Sequence, residues 1–127
     1  DHWILNGEKT FIANGSVGKL FFVSARTDFT KPVTEGSTEF IVPTDTPGFR
    51  IGKKFNKAGW RFYQNAELIF ENARIPHSNI VGAVNGGWTV AKTLLNFERS
   101  GMGTGSLSGG ARRPGAVEGN RLMEVTT

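Results

Sequence analysis

The first 82 residues are cut into short apolar runs by turn-forming residues, and that punctuation directs the chain toward a β fold. Trp3-Ile4-Leu5 and Lys9-Thr10-Phe11-Ile12 flank Asn6-Gly7, a pair that tolerates the positive φ angles of a two-residue turn, so a hairpin is expected there. Leu20-Phe21-Phe22-Val23-Ser24-Ala25 reads as a third strand, apolar enough to be covered on both faces. Asp28, Pro32 and Gly36 mark the stretch from Thr27 to Ser37 as a loop. Thr38 to Pro43 follows as a strand, and Asp45-Thr46-Pro47-Gly48 as a turn. Phe49-Arg50-Ile51-Gly52-Lys53 alternates apolar with polar residues and is expected to be half buried. Ala66 to Phe70 is a further strand, which Ala73-Arg74-Ile75-Pro76 either extends past a bulge or leaves to pair separately. Short strands in this number predict a mainly β fold, a flattened β-barrel or sandwich of antiparallel strands ending in a C-terminal helix.

The hydrophobic period changes after Asn85. On a helical wheel Trp88, Ala91, Leu94 and Leu95 make one apolar stripe, with Thr89, Lys92, Thr93 and Asn96 opposite. An amphipathic helix therefore enters through Gly86-Gly87, and its stripe calls for a partner that the rest of the chain does not obviously supply. Beyond Arg99, glycines crowd the sequence and Pro114 interrupts it; each interior Gly costs about 1 kcal/mol of helix relative to Ala. The expected organisation is a β-domain over residues 1–82, a helix over 83–100 and a mobile Gly-rich tail over 101–127.

Several kinds of function are disfavoured by content alone. Cysteine is absent, which removes disulfides and thiolate metal sites, and His2 and His77 stand far apart, so no metal site is expected. No apolar run approaches the ~20 residues that a membrane-spanning helix needs. The net charge of +4 is spread from Lys9 to Arg121, with Lys53-Lys54 and Arg112-Arg113 the only tight groups, so a solvated basic surface is favoured over a nucleic-acid footprint. The chain opens at Asp1 with no Met and is read as a fragment.

Glu98 breaks the pattern of its helix, because it falls inside the apolar stripe. A carboxylate facing a core is paired, protonated or functional, so Glu98 is either a salt-bridge partner near the helix end or a general base with a raised pKa. Phe11-Ile12-Ala13 reads by itself as strand packing. Gly101-Met102-Gly103 and Gly103-Thr104-Gly105 follow no strand and are not nucleotide fingerprints. Ser16, Ser24 and Ser37 have no histidine placed to make a triad.

Read in order, Asn6-Gly7-Glu8-Lys9, Phe11-Ile12-Ala13-Asn14-Gly15, Ala25-Arg26-Thr27-Asp28, Phe40-Ile41-Val42-Pro43, Asp45-Thr46-Pro47-Gly48-Phe49, Gly59-Trp60-Arg61, the Glu67–Pro76 run and Asn96-Phe97-Glu98-Arg99 resemble the acyl-CoA dehydrogenase family over residues 1 to about 100. The resemblance implies a middle β-domain, with the start of a C-terminal helical domain, from an enzyme that removes hydrogen across the α,β bond of an acyl-CoA thioester and passes hydride to FAD. It implies that Phe11, Ile12 and Ala13 border the flavin, that Asn96 and Arg99 lie beside the CoA portion of the substrate, and that Glu98 stands where the isovaleryl and long-chain subgroup carries its catalytic carboxylate. It further implies that a flavin-gripping motif lies before Asp1, that an electron-transfer flavoprotein accepts the electrons, that the whole protein is a homodimer or homotetramer, and that it is soluble, in a bacterial cytoplasm or a mitochondrial matrix. Three departures stand out. Ala13 replaces a Thr whose hydroxyl the family places near flavin N5, Asn96 replaces a frequent Asp, and the Gly-rich tail replaces an Ala-rich helix. Ala13 keeps open a related flavin oxidase or monooxygenase, and a non-catalytic β-barrel binding module is a further alternative.

Overall fold

The computed structural model describes residues 1–62, 64–106 and 123–126, with side chains followed as far as Asn96. The described strands are β1 (His2–Ala13), β2 (Leu20–Arg26), β3 (Ser37–Pro43), β4 (Phe49–Lys54), β5 (Asn65–Pro76), β6 (Ile80–Val81) and β7 (Met123–Thr126), with one helix, α1 (Gly87–Ser106). They form a seven-stranded sheet in the order β4-β5-β1-β7-β2-β3-β6, antiparallel throughout except for the β2–β7 pair.

The sheet is open at its edges yet folded over on itself. Phe21 of β2 and Phe49 of β4 have ring centroids 5.6 Å apart although their strands are four places apart in the sheet. In a flat sheet that separation would be about 19 Å, at about 4.8 Å per strand. The β4-β5-β1 half therefore faces the β2-β3 half as an open sandwich. Between the halves lies one core of Leu5, Phe21, Val23, Ala25, Phe40, Val42, Phe49, Leu68, Phe70, Ala73 and Ile75. Trp3 closes one end edge-on to Phe40, at 5.7 Å.

The hairpin expected at Asn6-Gly7 does not form. β1 is one strand of 12 residues, and both of its parts pair with β5: Trp3↔Ile75 and Leu5↔Ala73 on one side, Gly7↔Phe70 and Lys9↔Leu68 on the other. The register slips by one residue between them, because Glu71 and Asn72 together oppose Asn6. Asn72 takes φ +53° there; its backbone N–H donates to the Asn6 side chain (2.7 Å), and Asn6 Nδ2 donates back to Asn72 Oδ1 (3.2 Å). The turn signal of Asn-Gly thus marks the partner of a bulge, and Ala73–Pro76 continues β5 past it. β2 also differs from expectation: Phe21, Val23 and Ala25 are buried, but Leu20 and Phe22 are about half exposed, so one face only is covered.

Helix α1 starts against β3 through a closed polar triangle. Asn85, at φ +63°, donates its N–H to Thr38 Oγ1 (2.8 Å) and accepts from Thr27 Oγ1 (2.6 Å), and the two threonine hydroxyls bond each other (2.7 Å). Gly87 lies so close to β3 that a Cβ would come within 2.9 Å of Ser37 O and of Thr38 backbone carbon. The helix continues through Ser106, past the expected boundary at residue 100 and over Gly101, Gly103 and Gly105. These glycines weaken a helix without breaking it, and no proline intervenes before Pro114. β7, inside the segment expected to be a tail, pairs with β1 and β2; residues 107–122 lie outside the described residues.

Candidate functional site

The Phe11–Ala13 segment owes its shape to a second bulge. Lys9 faces Leu68 and Ile12 faces Ala66, so Thr10 and Phe11 together oppose Glu67. Strict alternation along β1 from Leu5, Gly7 and Lys9 would turn Phe11 inward and Ile12 outward. The extra residue reverses this: Ile12 packs against the core, while Phe11 is 58% exposed and Ala13 is exposed beside it. The result is a shelf made of one aromatic ring and one methyl group at the end of β1.

Phe11 reaches this position with φ +56°, a conformation that a bulky non-glycine residue rarely adopts and that costs on the order of 1–3 kcal/mol. Its surroundings hold it there. The ring stacks on Phe55 at 4.2 Å and 23°. Its carbonyl accepts a 2.9 Å hydrogen bond from Asn65 Nδ2, and Asn65 Oδ1 in turn accepts from Lys57 Nζ at 2.5 Å. The Phe55 N–H donates to the Asn65 carbonyl (3.0 Å). Beyond the shelf the chain turns sharply: Asn14 N–H donates to Gln64 O (2.7 Å), Ser16 Oγ donates to the Gln64 side chain, and Gly15 N–H donates back to Ile12 O (3.1 Å). A Cβ on Gly15 would come within 2.9 Å of that oxygen and 3.1 Å of Ala66 Cβ, so the turn needs glycine. Trp60 and Phe62 stack at 5.7 Å on the loop between β4 and β5, both largely exposed.

The other predicted residues belong to α1. Asn96 is exposed on the helix. Glu98 and Arg99 lie on its backbone, their side chains outside the described residues. Trp88 and Leu94, on the same stripe as Glu98, are 39% and 40% exposed. That stripe is therefore only partly covered. The helix bearing Asn96, Glu98 and Arg99 rests on β3, whereas the shelf ends β1.

Two groupings escaped the sequence reading. One is the Phe55–Asn65 support of Phe11, which joins residues far apart in the chain. The other is a charged cluster under the sheet. Lys9 of β1 and Glu39 of β3 are 5% and 3% exposed, and Ser24 Oγ donates to Glu39. Burial pushes the Lys9 ammonium below its ordinary pKa, with the Glu39 charge opposing that shift. Burial likewise pushes the Glu39 carboxyl up, against the Ser24 hydrogen bond and the Lys9 charge. Among the described residues no group of His, Asp and Glu side chains converges as a metal site.

The curled, mainly antiparallel β-domain carries an exposed aromatic shelf and hands the chain to helix α1. Residues 1–73 match the family model described as "Acyl-CoA dehydrogenase, middle domain". The chain belongs to the acyl-CoA dehydrogenase family. It is 39% identical over 109 residues to the mitochondrial isobutyryl-CoA dehydrogenase of Dictyostelium discoideum, a match covering 86% of this chain and 26% of that protein. It is 41% identical over 108 residues to the mitochondrial isovaleryl-CoA dehydrogenase of Pongo abelii, covering 84% and 26%. The structure of an acyl-CoA dehydrogenase from Geobacillus kaustophilus superposes with a TM-score of 0.74 at 38% identity, covering 78% of this chain and 26% of that one. The chain thus spans about a quarter of the length of the curated relatives it matches.

Proposed function

We propose that this chain is the middle domain and first C-terminal helix of a FAD-dependent acyl-CoA dehydrogenase that oxidises an acyl-CoA thioester between Cα and Cβ. The observation that carries the reading is the bulge that turns Phe11 and Ala13 outward at the position where the family borders its flavin. An exposed ring beside an exposed methyl group suits one face of a flat, mostly apolar ring system. When bound, FAD supplies the acceptor for the substrate's β-hydrogen as hydride. Phe11 and Ala13 support the ring, Ile12 fixes the strand by packing inward, and Asn96 and Arg99 bind the CoA portion. Glu98 takes the α-proton on its carboxylate. On the helical wheel Glu98 falls on the stripe of Ala91, Leu94 and Leu95. An electron-transfer flavoprotein is the proposed acceptor of the electrons, and a dimer or tetramer the proposed assembly. The proposed location is a bacterial cytoplasm or a mitochondrial matrix. No described helix is long and apolar enough to cross a membrane.

Glu98→Gln in the full-length protein tests this reading. Flavin content should stay normal and flavin reduction by acyl-CoA, followed by stopped-flow bleaching, should slow by about 10²–10⁴-fold. Reduction at the wild-type rate would remove Glu98 from the role of base. Ala13 supports a second reading, a flavin oxidase or monooxygenase on the same fold, since no side-chain hydroxyl stands on the shelf. Reoxidation of the reduced enzyme by oxygen as fast as turnover would favour it.

A further inference from the structure

Resting on that flavin reading, we propose that Asn65 is a positioning residue for the flavin: it holds the Thr10–Phe11 bulge closed and so keeps Phe11 and Ala13 turned outward. Asn65 is where three strands meet. It pairs with Ala13 of β1 at the start of β5, and its carbonyl accepts from Phe55 N–H at the end of β4. Its side chain is bonded at both ends, donating to Phe11 O at 2.9 Å and accepting from Lys57 Nζ at 2.5 Å. Phe11 O belongs to the residue held at φ +56°, the strained point on which the reversed alternation turns. A peptide in that conformation relaxes to the extended region unless its neighbours fix it. Relaxation would remove the bulge, rotate Phe11 toward the core and turn Ile12 outward, which replaces the shelf by a branched side chain. The stack of Phe11 on Phe55 adds a second hold on the same residue, and it depends on Asn65 through the Phe55 N–H bond. The hold is a clamp on the backbone behind the shelf, so Asn65 acts without touching the flavin.

Two substitutions separate the donor from the bulk of the side chain. Asn65→Asp keeps the size and the acceptor for Lys57 but removes the N–H that holds Phe11 O; Asn65→Ala removes both. In the full-length protein each variant should weaken FAD binding about tenfold, the equivalent of one hydrogen bond, and should shift the flavin's visible spectrum and reduction potential. Amide exchange across residues 10–14, measured without flavin, should quicken by a similar factor in both. Phe55→Leu, which removes the stack and leaves the Asn65 bonds, should give a smaller change of the same sign. FAD affinity, spectrum and potential within twofold of wild type in both Asn65 variants would overturn the positioning role, even if melting temperature fell. Unchanged exchange at residues 10–14 would overturn the clamp. A wild-type protein that takes up no FAD would overturn the flavin reading and the positioning role together, while the exchange data would still decide the clamp.

Discussion

Replacing Lys9 and Glu39 separately and then together should give opposite results. Both side chains are almost fully buried, and Glu39 takes a hydrogen bond from Ser24. Lys9→Met removes the positive charge that opposes the burial of the Glu39 carboxylate, and Glu39→Met the negative charge that opposes the burial of the Lys9 ammonium; removing one of two opposed buried charges costs up to about 3–5 kcal/mol. That is a large part of the 5–15 kcal/mol that holds a domain folded. If the two costs added, the double variant would lose about 6–10 kcal/mol. Removing both charges also removes both desolvation penalties, and apolar replacement of a buried pair is neutral to stabilising by about 1–4 kcal/mol. The double variant Lys9→Met/Glu39→Met should therefore be as stable as wild type or more so. Ser24, half buried, can turn its hydroxyl to water.

The pH dependence follows from the two pKa directions. Glu39 is raised above 4.5, so between that value and its folded value the native state holds a proton that the unfolded chain has released, and stability falls as pH rises through this window. Lys9 is lowered below 10.5, so between its folded value and 10.5 the unfolded chain holds the extra proton, and stability rises with pH. The pair thus contributes least in the plateau between the two windows. Urea unfolding across a pH series measures this. Wild type minus double variant should show both slopes, and the double variant alone should lack them. Additive losses in the double variant, or a wild-type maximum in the plateau relative to it, would refute the reasoning.

Asn72→Ala should cost about 1–2 kcal/mol, because it removes the hydrogen bond to Asn6 Nδ2 and leaves alanine at φ +53°, whereas Asn72→Gly should cost less; chemical denaturation compares them. Gly15→Ala should lose about 1–3 kcal/mol through its contacts with Ile12 O and Ala66, seen as a lower melting temperature and faster exchange of the Asn14 amide. Arg50→Ala should leave the melting temperature unchanged at physiological salt, since its 3.1 Å pair with Glu71 is exposed on both sides. The 127-residue chain should bind a hydrophobic dye or self-associate in sedimentation velocity, because Phe22, Trp60, Phe62, Trp88 and Leu94 all present apolar surface.

The strands that the sequence marked most clearly are those whose burial alternates or whose ends carry turn residues. β3 and β4 appear within a residue of their expected bounds. The misreading at Asn6-Gly7 and the unread orientation of Phe11 share one physical origin, the β-bulge. Asn6-Gly7 is locally a good turn, and nothing within a few residues says that Asn72, 66 positions on, will meet it with an extra residue of its own. Likewise the pattern Lys9-Thr10-Phe11-Ile12 holds two apolar neighbours with no sign of which faces inward. The choice is made by Ala66 and Leu68 across the strand, and by Asn65 and Phe55 beyond it. The burial of Lys9 and Glu39 was hidden because charged residues in separate strands look alike in sequence whether they face water or the interior.

The site divides along that line. Which residues are proposed to border the flavin came from resemblance in sequence; how they come to face outward came from the sheet. A strand end with regular alternation would have buried Phe11 and presented Ile12, and the same letters would then have built a different surface. The bulge lets one segment serve both purposes, Ile12 anchoring the core and Phe11 with Ala13 forming the shelf. A left-handed phenylalanine is unstable by itself, so such a shelf requires fastening from outside the strand, and the fastening here is Asn65 with Phe55. Helix α1 shows the same logic: its direction is set where it starts, by Asn85 between Thr27 and Thr38 and by Gly87 against β3. Thr27, Thr38, Asn85 and Gly87 thereby decide where Asn96, Glu98 and Arg99 are carried.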